Sequence, residues 1–474
     1  MNQKRGQQQR RLFSEALNCC IILWLAGNLA RAGDMRLDSI EGDVTKREYD
    51  SFIAKLQELP PPPTNNIGNT LVYEAAGGGK LHGLQTFYAF THDRRVLDVA
   101  IAWSDAFLHA RNDPVTGRLI WTGKRELCWP NKETNDAQAL YSGTENGDVI
   151  EHICNTARLI LENPSLRTNT APPDTYGYGV TYLDRAKTYV RECQRSAETT
   201  IVPWYVRDTP DGYRLYHPDS PAYWNACASK GPVPWNQQQF ITGGLLRLAQ
   251  CHRLLNDGNT NIAVYEKITG DAARWFFATA RMVNARGRIC YQWAYDPSED
   301  IAAETEDTGH SFYDVYVMRA YEANLGPTRT NMQRLIKTAR FIMFIDTNRF
   351  SGVINGTSDE HRYERKYLNY EWIEMSVLDR EFYKQMATAV LTSHQYWDDL
   401  PVEAAVLSAK HYWAITPVAE QPPEIVEDAS NVPPLSLTSP LSHGRYGPGR
   451  MEILILIVVA AVVLRGFFKF RDKS

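Results

Sequence analysis

Along most of the chain, apolar residues recur at intervals of three and four. LQTFYAF (84–90), RRVLDVAIAWSDAFLHA (94–110), DVIEHICNTARLILE (148–162), TYLDRAKTYVREC (181–193) and QQQFITGGLLRLAQCHRLL (237–255) carry the pattern through the first half. AARWFFATARMV (272–283), SFYDVYVMRAYEA (311–323), MQRLIKTARFIMFI (332–345), WIEMSVLDREFYKQMATAV (372–390) and VEAAVLSAKHYW (402–413) continue it. Such spacing gives each helix one apolar stripe. Ten of these segments with few convincing strands predict an all-α protein. RGRICYQWAY (286–295) reads instead as a β-like hairpin or loop excursion. There is also a faint internal echo. Thr91-His92-Asp93 precedes Ala100 much as Thr269-Gly270-Asp271 precedes Ala278, each read as opening a helix after a turn. A repeated helix–turn–helix unit predicts a solenoid or a ring of hairpins, and the irregular unit with long loops favours the closed ring.

Both ends look like address signals. Lys4, Arg5, Arg10 and Arg11 precede the apolar run ALNCCIILWLAGNLA and an Ala30-Arg31-Ala32 cleavage pattern, so residues 1–32 read as a secretory signal peptide, with an uncleaved anchor as the alternative. Residues 33–418 are then the folded domain, and the Pro/Ser/Gly-rich 419–450 a stalk. Residues 451–470 read as a C-terminal transmembrane or anchor segment, and 471–474 as a short basic tail. The apolar core of that segment, Ile453 to Leu464, is short of the roughly 20 residues that cross a bilayer, so a span would need Arg465 and Lys469 to snorkel. A lipid-anchor signal is the other reading. The implied location is the secretory pathway, outside the cell or at its surface, with the membrane as a partner.

Without these ends the charge changes. Residues 33–450 hold 42 Lys+Arg against 52 Asp+Glu, which excludes nucleic acid as a partner because no basic field faces the phosphates. Six cysteines remain beyond the signal peptide, enough for three disulfides in a secreted chain, with the pairing open. No C-x2-C spacing and no calcium loop is present, so no metal and no cofactor is expected. Asn355-Gly356-Thr357 is a glycosylation acceptor at Asn355.

Several helices open on dense polar clusters. YSGTENGDVIEH places Glu145, Asn146 and Asp148 at a start, VPWNQQQF places Trp235, Asn236 and Gln237, and LNYEWIE places Asn369, Tyr370 and Glu371. AETEDTGHSFYD adds Glu306, Asp307 and His310, with Asp314 one turn beyond. Capping explains any one cluster, since Asp, Asn and Thr accept the free N–H groups of a first turn. It explains less well their company: Trp129, Trp235, Tyr291, Trp293, Tyr295, Tyr363, Tyr367 and Trp372 lie in or beside the same segments. Aromatic rings beside polar loops are what sugars stack upon; burial in the core is the plainer alternative.

VPWNQQQFITGGLLRLAQ, EKITGDAARWFFATARMV and YQWAYDPSEDIAAETEDTGHSFYDVYVMRAYEA together resemble the helical-hairpin, or (α/α) toroid, carbohydrate-active enzymes. Within these, the order Trp-Asn-Gln, Thr-Gly-Asp, Tyr-x-Trp-x-Tyr, Glu-Asp-x-x-His is similar to polysaccharide lyases of the glucuronan and alginate type. The resemblance is clearest over 230–325. It implies a single barrel of six to seven helical hairpins, with inner and outer helices alternating and a polysaccharide cleft at one mouth. It also implies β-elimination of a uronic-acid polymer. That reaction neutralises the uronate, removes the C5 proton and protonates the leaving oxygen. Asn236 and His310, with Glu145 third, are then expected at the uronate, Tyr367 as proton shuttle and Arg362 as its neighbour. Trp235, Gln237, Trp293, Tyr295, Glu306, Asp307 and Trp372 are expected to bind sugar. A glycoside hydrolase would instead use two carboxyl groups from Glu145, Asp148, Glu306, Asp307 and Glu371. The paired Asp of barrel mannanases has no counterpart before the Asn-rich helix, because Trp397-Asp398-Asp399 comes too late. A membrane-tethered glycan binder without chemistry is the third possibility.

Overall fold

The computed structural model describes residues 37–60, 62, 78–130, 141–227, 229–297, 305–347, 349–357, 364–365, 367–393, 400–417, 423 and 425–435. The signal-peptide and anchor segments lie outside the described residues; among the described residues no helix is long and apolar enough to cross a membrane. Helix accounts for 57% of the structure and strand for 10%, so the fold is all-α.

Apart from the short helices Val202–Tyr205 and Pro221–Cys227, the helices are α1 (Lys46–Leu56), α2 (Gly79–Thr91), α3 (Arg94–His109), α4 (Asn146–Leu161), α5 (Tyr182–Ser196), α6 (Trp235–Leu255) and α7 (Ile262–Thr279). They continue with α8 (Thr308–Asp314), α9 (Met318–Glu322), α10 (Arg329–Thr338), α11 (Tyr370–Glu374), α12 (Arg380–Ser393) and α13 (Leu400–Ile415). Three antiparallel hairpins interrupt them: β1–β2 (Val206–Thr209, Gly212–Leu215), β3–β4 (Arg281–Ala285, Arg288–Gln292) and β5–β6 (Phe344–Asp346, Arg349–Phe350).

Six elements pack in sequence. α2 lies on α4, α4 on α6, α6 on α8, α8 on α11, α11 on α13, and α13 again on α2. α3 packs on α2 and α4, α5 on α4 and α6, α7 on α6 and α12 on α13, and α10 touches α9. Burial follows: all residues of α4 but Arg158 are buried, whereas α3 keeps an open polar stripe. The α4–α6 contact is backbone on backbone. A Cβ at Gly147 would stand 2.3 Å from the Phe240 carbonyl oxygen, and one at Gly244 2.5 Å from that of Gly147. Glycine is what lets the two helices approach. α1 joins its neighbours by stacking Phe52 on Phe87, centroids 3.7 Å apart. Two buried ion pairs, Lys55–Glu403 at 2.5 Å and Lys410–Glu48 at 2.7 Å, tie α1 to α13.

The structure departs from the sequence reading in several places. WIEMSVLDREFYKQMATAV is not one helix: α11 passes through a 3-10 turn, Met375–Leu378, and α12 starts afresh after Asp379. Asp93 does cap α3, accepting from the Arg95 N–H at 2.9 Å, but Thr269-Gly270-Asp271 lies within α7. There Asp271 accepts from the Tyr213 N–H at 2.8 Å, holding the β1–β2 hairpin rather than starting a helix. Residues 425–435, read as stalk, lie along α10 and β3, with Glu427 on Arg334 and a backbone bond from Asn284 N–H to the Pro433 oxygen at 2.7 Å. Asn355 is 3% exposed, its Oδ1 accepting from the Thr357 N–H and hydroxyl, so the folded chain has no room for a glycan there. Cys128, Cys154, Cys193, Cys251 and Cys290 are buried free thiols.

Candidate functional site

Some helix starts are capped by side chains and others are not. α1, α5 and α10 open on capping boxes from Thr45, Thr181 and Thr328, Asp93 caps α3, and Asp307 caps α8, accepting from the His310 N–H at 2.9 Å. α2, α4, α6, α7 and α11 have no side-chain cap on the residue before the helix. Asn236 in α6 still bonds its own first turn, but Asn146 and Gln237 do not: Asn146 Oδ1 accepts from the Trp129 N–H at 2.6 Å, and Gln237 Oε1 from the Thr144 hydroxyl.

These starts meet. Thr144, just before α4, donates to Gln237 Oε1 at 3.0 Å, and the Trp235 N–H donates to the Tyr295 carbonyl at 3.3 Å. The Tyr295 ring stands edge-on to His310, centroids 5.3 Å apart. Asn236 is buried beside them, its Oδ1 accepting from the Gln237 N–H at 2.9 Å. Glu145 is buried against Gly143 and the Tyr141 hydroxyl. Glu145, Asn236, Gln237, Tyr295, Asp307 and His310 thus lie on one continuous run of contacts. Tyr367 is half-buried and packs on the edge of the core, and Arg362 lies outside the described residues.

His310 and Asp307 form an ion pair, Nδ1 to Oδ2 at 2.6 Å, with the His310 side chain 43% exposed. Burial opposes the imidazolium, but the hydrogen bond and charge of Asp307 and the charge of Asp314 outweigh it, so the His310 pKa is raised. Asp307 moves the other way: burial would raise it, and His310 brings it below the usual carboxylate range. Behind the pair, Glu306 and Asp314 are wholly buried beside each other. Burial lifts Glu306 well above its ordinary value and lifts Asp314 to about 7, the latter against the Trp293 indole N–H that donates to it at 2.6 Å. The site therefore presents a cation–anion pair at the surface and two carboxyl groups favouring the neutral form beneath it.

Oxygen atoms of Glu306 and Asp307 and a ring nitrogen of His310 lie within 4.8 Å of one another. Two of the three are already only 2.6 Å apart across the ion pair, too close for adjacent ligands on a metal with bonds of about 2 Å. The trio closes on a proton and does not fit a metal as it stands.

Several expected roles need correction. Trp235, Trp293 and Trp372 are buried to within 1%, packed in the core, and have no ring face for a sugar. Trp293 acts through its N–H on Asp314 instead. Glu306 is enclosed and cannot line a cleft. Other residues escaped the sequence reading. His82 and His152 are buried, and Glu374 half-buried, where α2, α4 and α11 come together; Glu151 and Arg319 are buried and pair with each other. Asp148 and His152 in DVIEHICN stand at i and i+4, a spacing that places both on one helix face and was there to be read. His82 and Arg319 sit in apolar stretches and gave no such signal. Comparison with protein families, with curated proteins and with solved structures finds no match to this chain.

Proposed function

We propose that the chain is a helical-hairpin toroid that cleaves a polysaccharide where α4, α6, α8 and α11 begin, by β-elimination of a uronic-acid polymer. The order of contacts supports the toroid: each inner element packs on the next, and α13 returns to α2. One observation carries the site: the starts of α4 and α6 are joined by the Thr144–Gln237 bond and run on, through Tyr295, to the His310–Asp307 pair. His310, kept cationic by Asp307, and the Asn236 amide neutralise the uronate. That neutralisation stabilises the charge developing at C5 in the transition state. Glu306 and Asp314, favouring the neutral form, keep that charge from being repelled. Secretion and tethering through residues 451–470 belong to the same proposal, and membrane fractionation of the full chain tests them.

Hydrolysis is the second reading, favoured by Glu145, Asp148 and Glu371, three carboxyl groups buried at the starts of α4 and α11. Two suitably separated carboxyl groups suffice for that reaction. The two readings part on one experiment. Elimination generates an unsaturated product and a reducing end together, whereas hydrolysis generates the reducing end alone.

A further inference from the structure

Between inner helices α2, α4 and α11, two histidine–carboxyl pairs come together. His82 Nε2 and Glu374 Oε1 are 2.6 Å apart, and the Thr86 hydroxyl donates to the same oxygen at 3.1 Å. On α4, Asp148 Oδ1 and His152 Nε2 are 3.3 Å apart. The two imidazoles face edge to plane with centroids 6.0 Å apart. Tyr370 stands 4.5 Å from the His82 ring, and its hydroxyl is 3.3 Å from that of Tyr316. His82, Asp148 and His152 are all buried.

A second observation points to a ligand. Asp148 Oδ2 is enclosed and has no hydrogen-bond partner. A Cβ at Gly78 would lie 3.3 Å from that oxygen and 2.9 Å from His152 Nε2. The chain thus passes these atoms with a residue that has no side chain, leaving a buried polar atom for something else to satisfy.

We infer that His82 and His152 are the proton-transferring pair of the elimination, an inference that rests on reading this mouth as a glycan-cleaving site. Their carboxyl partners are driven in opposite directions. Burial would raise Glu374, but the charge that His82 carries once protonated, and its hydrogen bond, outweigh it, so Glu374 stays a carboxylate. Burial raises Asp148 despite His152. Environments that push two such groups apart mark out a base and an acid. Glu374 accepts the Nε2–H of His82, which frees Nδ1 to take the C5 proton. Protonated Asp148 donates to Nε2 of His152, which keeps a proton on Nδ1 for the leaving oxygen. The C5–H electron pair becomes the C4=C5 double bond, the C4–O4 bond breaks, and O4 departs with the His152 proton. One proton leaves carbon, one reaches oxygen, and solvent returns the proton from His82 to His152. Nothing is oxidised or reduced.

The test uses the full chain with His82→Asn, His152→Asn, Glu374→Gln and Asp148→Asn, each checked for folding by thermal unfolding. His82→Asn and His152→Asn are expected to lower kcat by about 10²–10⁴-fold with KM nearly unchanged, the scale of general acid–base assistance. Asp148→Asn, whose amide still donates to His152, should lose far less than Glu374→Gln. Wild-type rates in both histidine variants overturn the assignment. Histidine NMR signals, followed while a 4-linked uronate tetrasaccharide is added, give a readout independent of turnover and of the variants' folding. Shifts at His82 and His152 in an enzyme inert to every glycan would keep the site and sink the elimination reading. No shift at either, with or without turnover, overturns the site itself.

Discussion

Replacing Lys410 by Met removes one of the two buried cations that tie α1 to α13, the join at which the first described helix meets the last. Lys410 and Glu48 side chains are both 0% exposed, and the ammonium donates to both carboxylate oxygens, at 2.7 and 2.8 Å. Removing one partner of a buried pair costs about 3–5 kcal/mol, because the remaining charge stays enclosed. Glu48 is not left bare, since the N–H groups of Asp38 and Thr45 still donate to it at 2.6 and 2.7 Å. Charge-assisted bonds of that kind are worth about 1.5–3 kcal/mol each and keep the loss at the low end, about 3 kcal/mol. Met fills much the same volume, so little of the loss comes from a cavity. Urea unfolding followed by circular dichroism measures the change in midpoint, and a double variant with Glu48→Gln should recover most of it. A Lys410→Met variant within about 1 kcal/mol of the parent, or a double variant no better than the single, would refute the reasoning and the docking of α1 on α13 with it.

Other perturbations probe the site and its frame. Because His310 is raised, the stability it adds is present below its unfolded pKa and is lost as pH rises through its folded one. Asp307, being lowered, adds stability above its unfolded pKa that is lost as pH falls through its folded one. His310→Ala should therefore cost most between about pH 4 and 6.5 and converge on the parent only as pH rises past the raised folded value, as thermal melts across pH will show. Asp314 is raised by burial to about 7, so it destabilises the fold progressively as pH climbs from about 4 towards that value. Asp314→Asn, which can still accept from Trp293, should gain on the parent in melting temperature at pH 8 relative to pH 4; an equal offset at both would contradict the burial. Gly147→Ala puts a methyl 2.3 Å from a backbone oxygen and should destabilise by about 1–3 kcal/mol or more, measurable by the same melts.

Much of the frame is legible from spacing. The stripe in DVIEHICNTARLILE and QQQFITGGLLRLAQCHRLL predicts α4 and α6 directly, because both helices have one strongly apolar side. RGRICYQWAY was rightly set apart, since β3–β4 ends within it. Spacing fails where the chain turns without a Gly or Pro break. Between α11 and α12 the apolar positions run on through Met375–Leu378, and only tertiary contacts divide them into two helices. α1 was missed because KREYDSFIAKL is short and largely polar, its place fixed by buried lysine pairs that look like surface charge. The polar starts were legible as a group, but sequence could not separate capping from function. That distinction depends on whether the side chain bonds its own first turn, which Asp307 and Asn236 do and Gln237, accepting from Thr144, does not. Exposure was the least readable property. Trp235, Trp293 and Trp372 carry the composition of a sugar platform and occupy the core.

The central claim is that this mouth breaks a uronic-acid polymer by elimination, and product formation by the purified protein tests it most directly. Uronate and neutral glycans are incubated with the parent and with His310→Ala, following unsaturated-product absorbance beside reducing ends. The account predicts that both signals rise together on a uronate polymer and fall about 10²-fold or more in the variant, the loss expected when charge stabilisation at the reacting centre is removed. Reducing ends without absorbance, or an unchanged rate in His310→Ala, would contradict it.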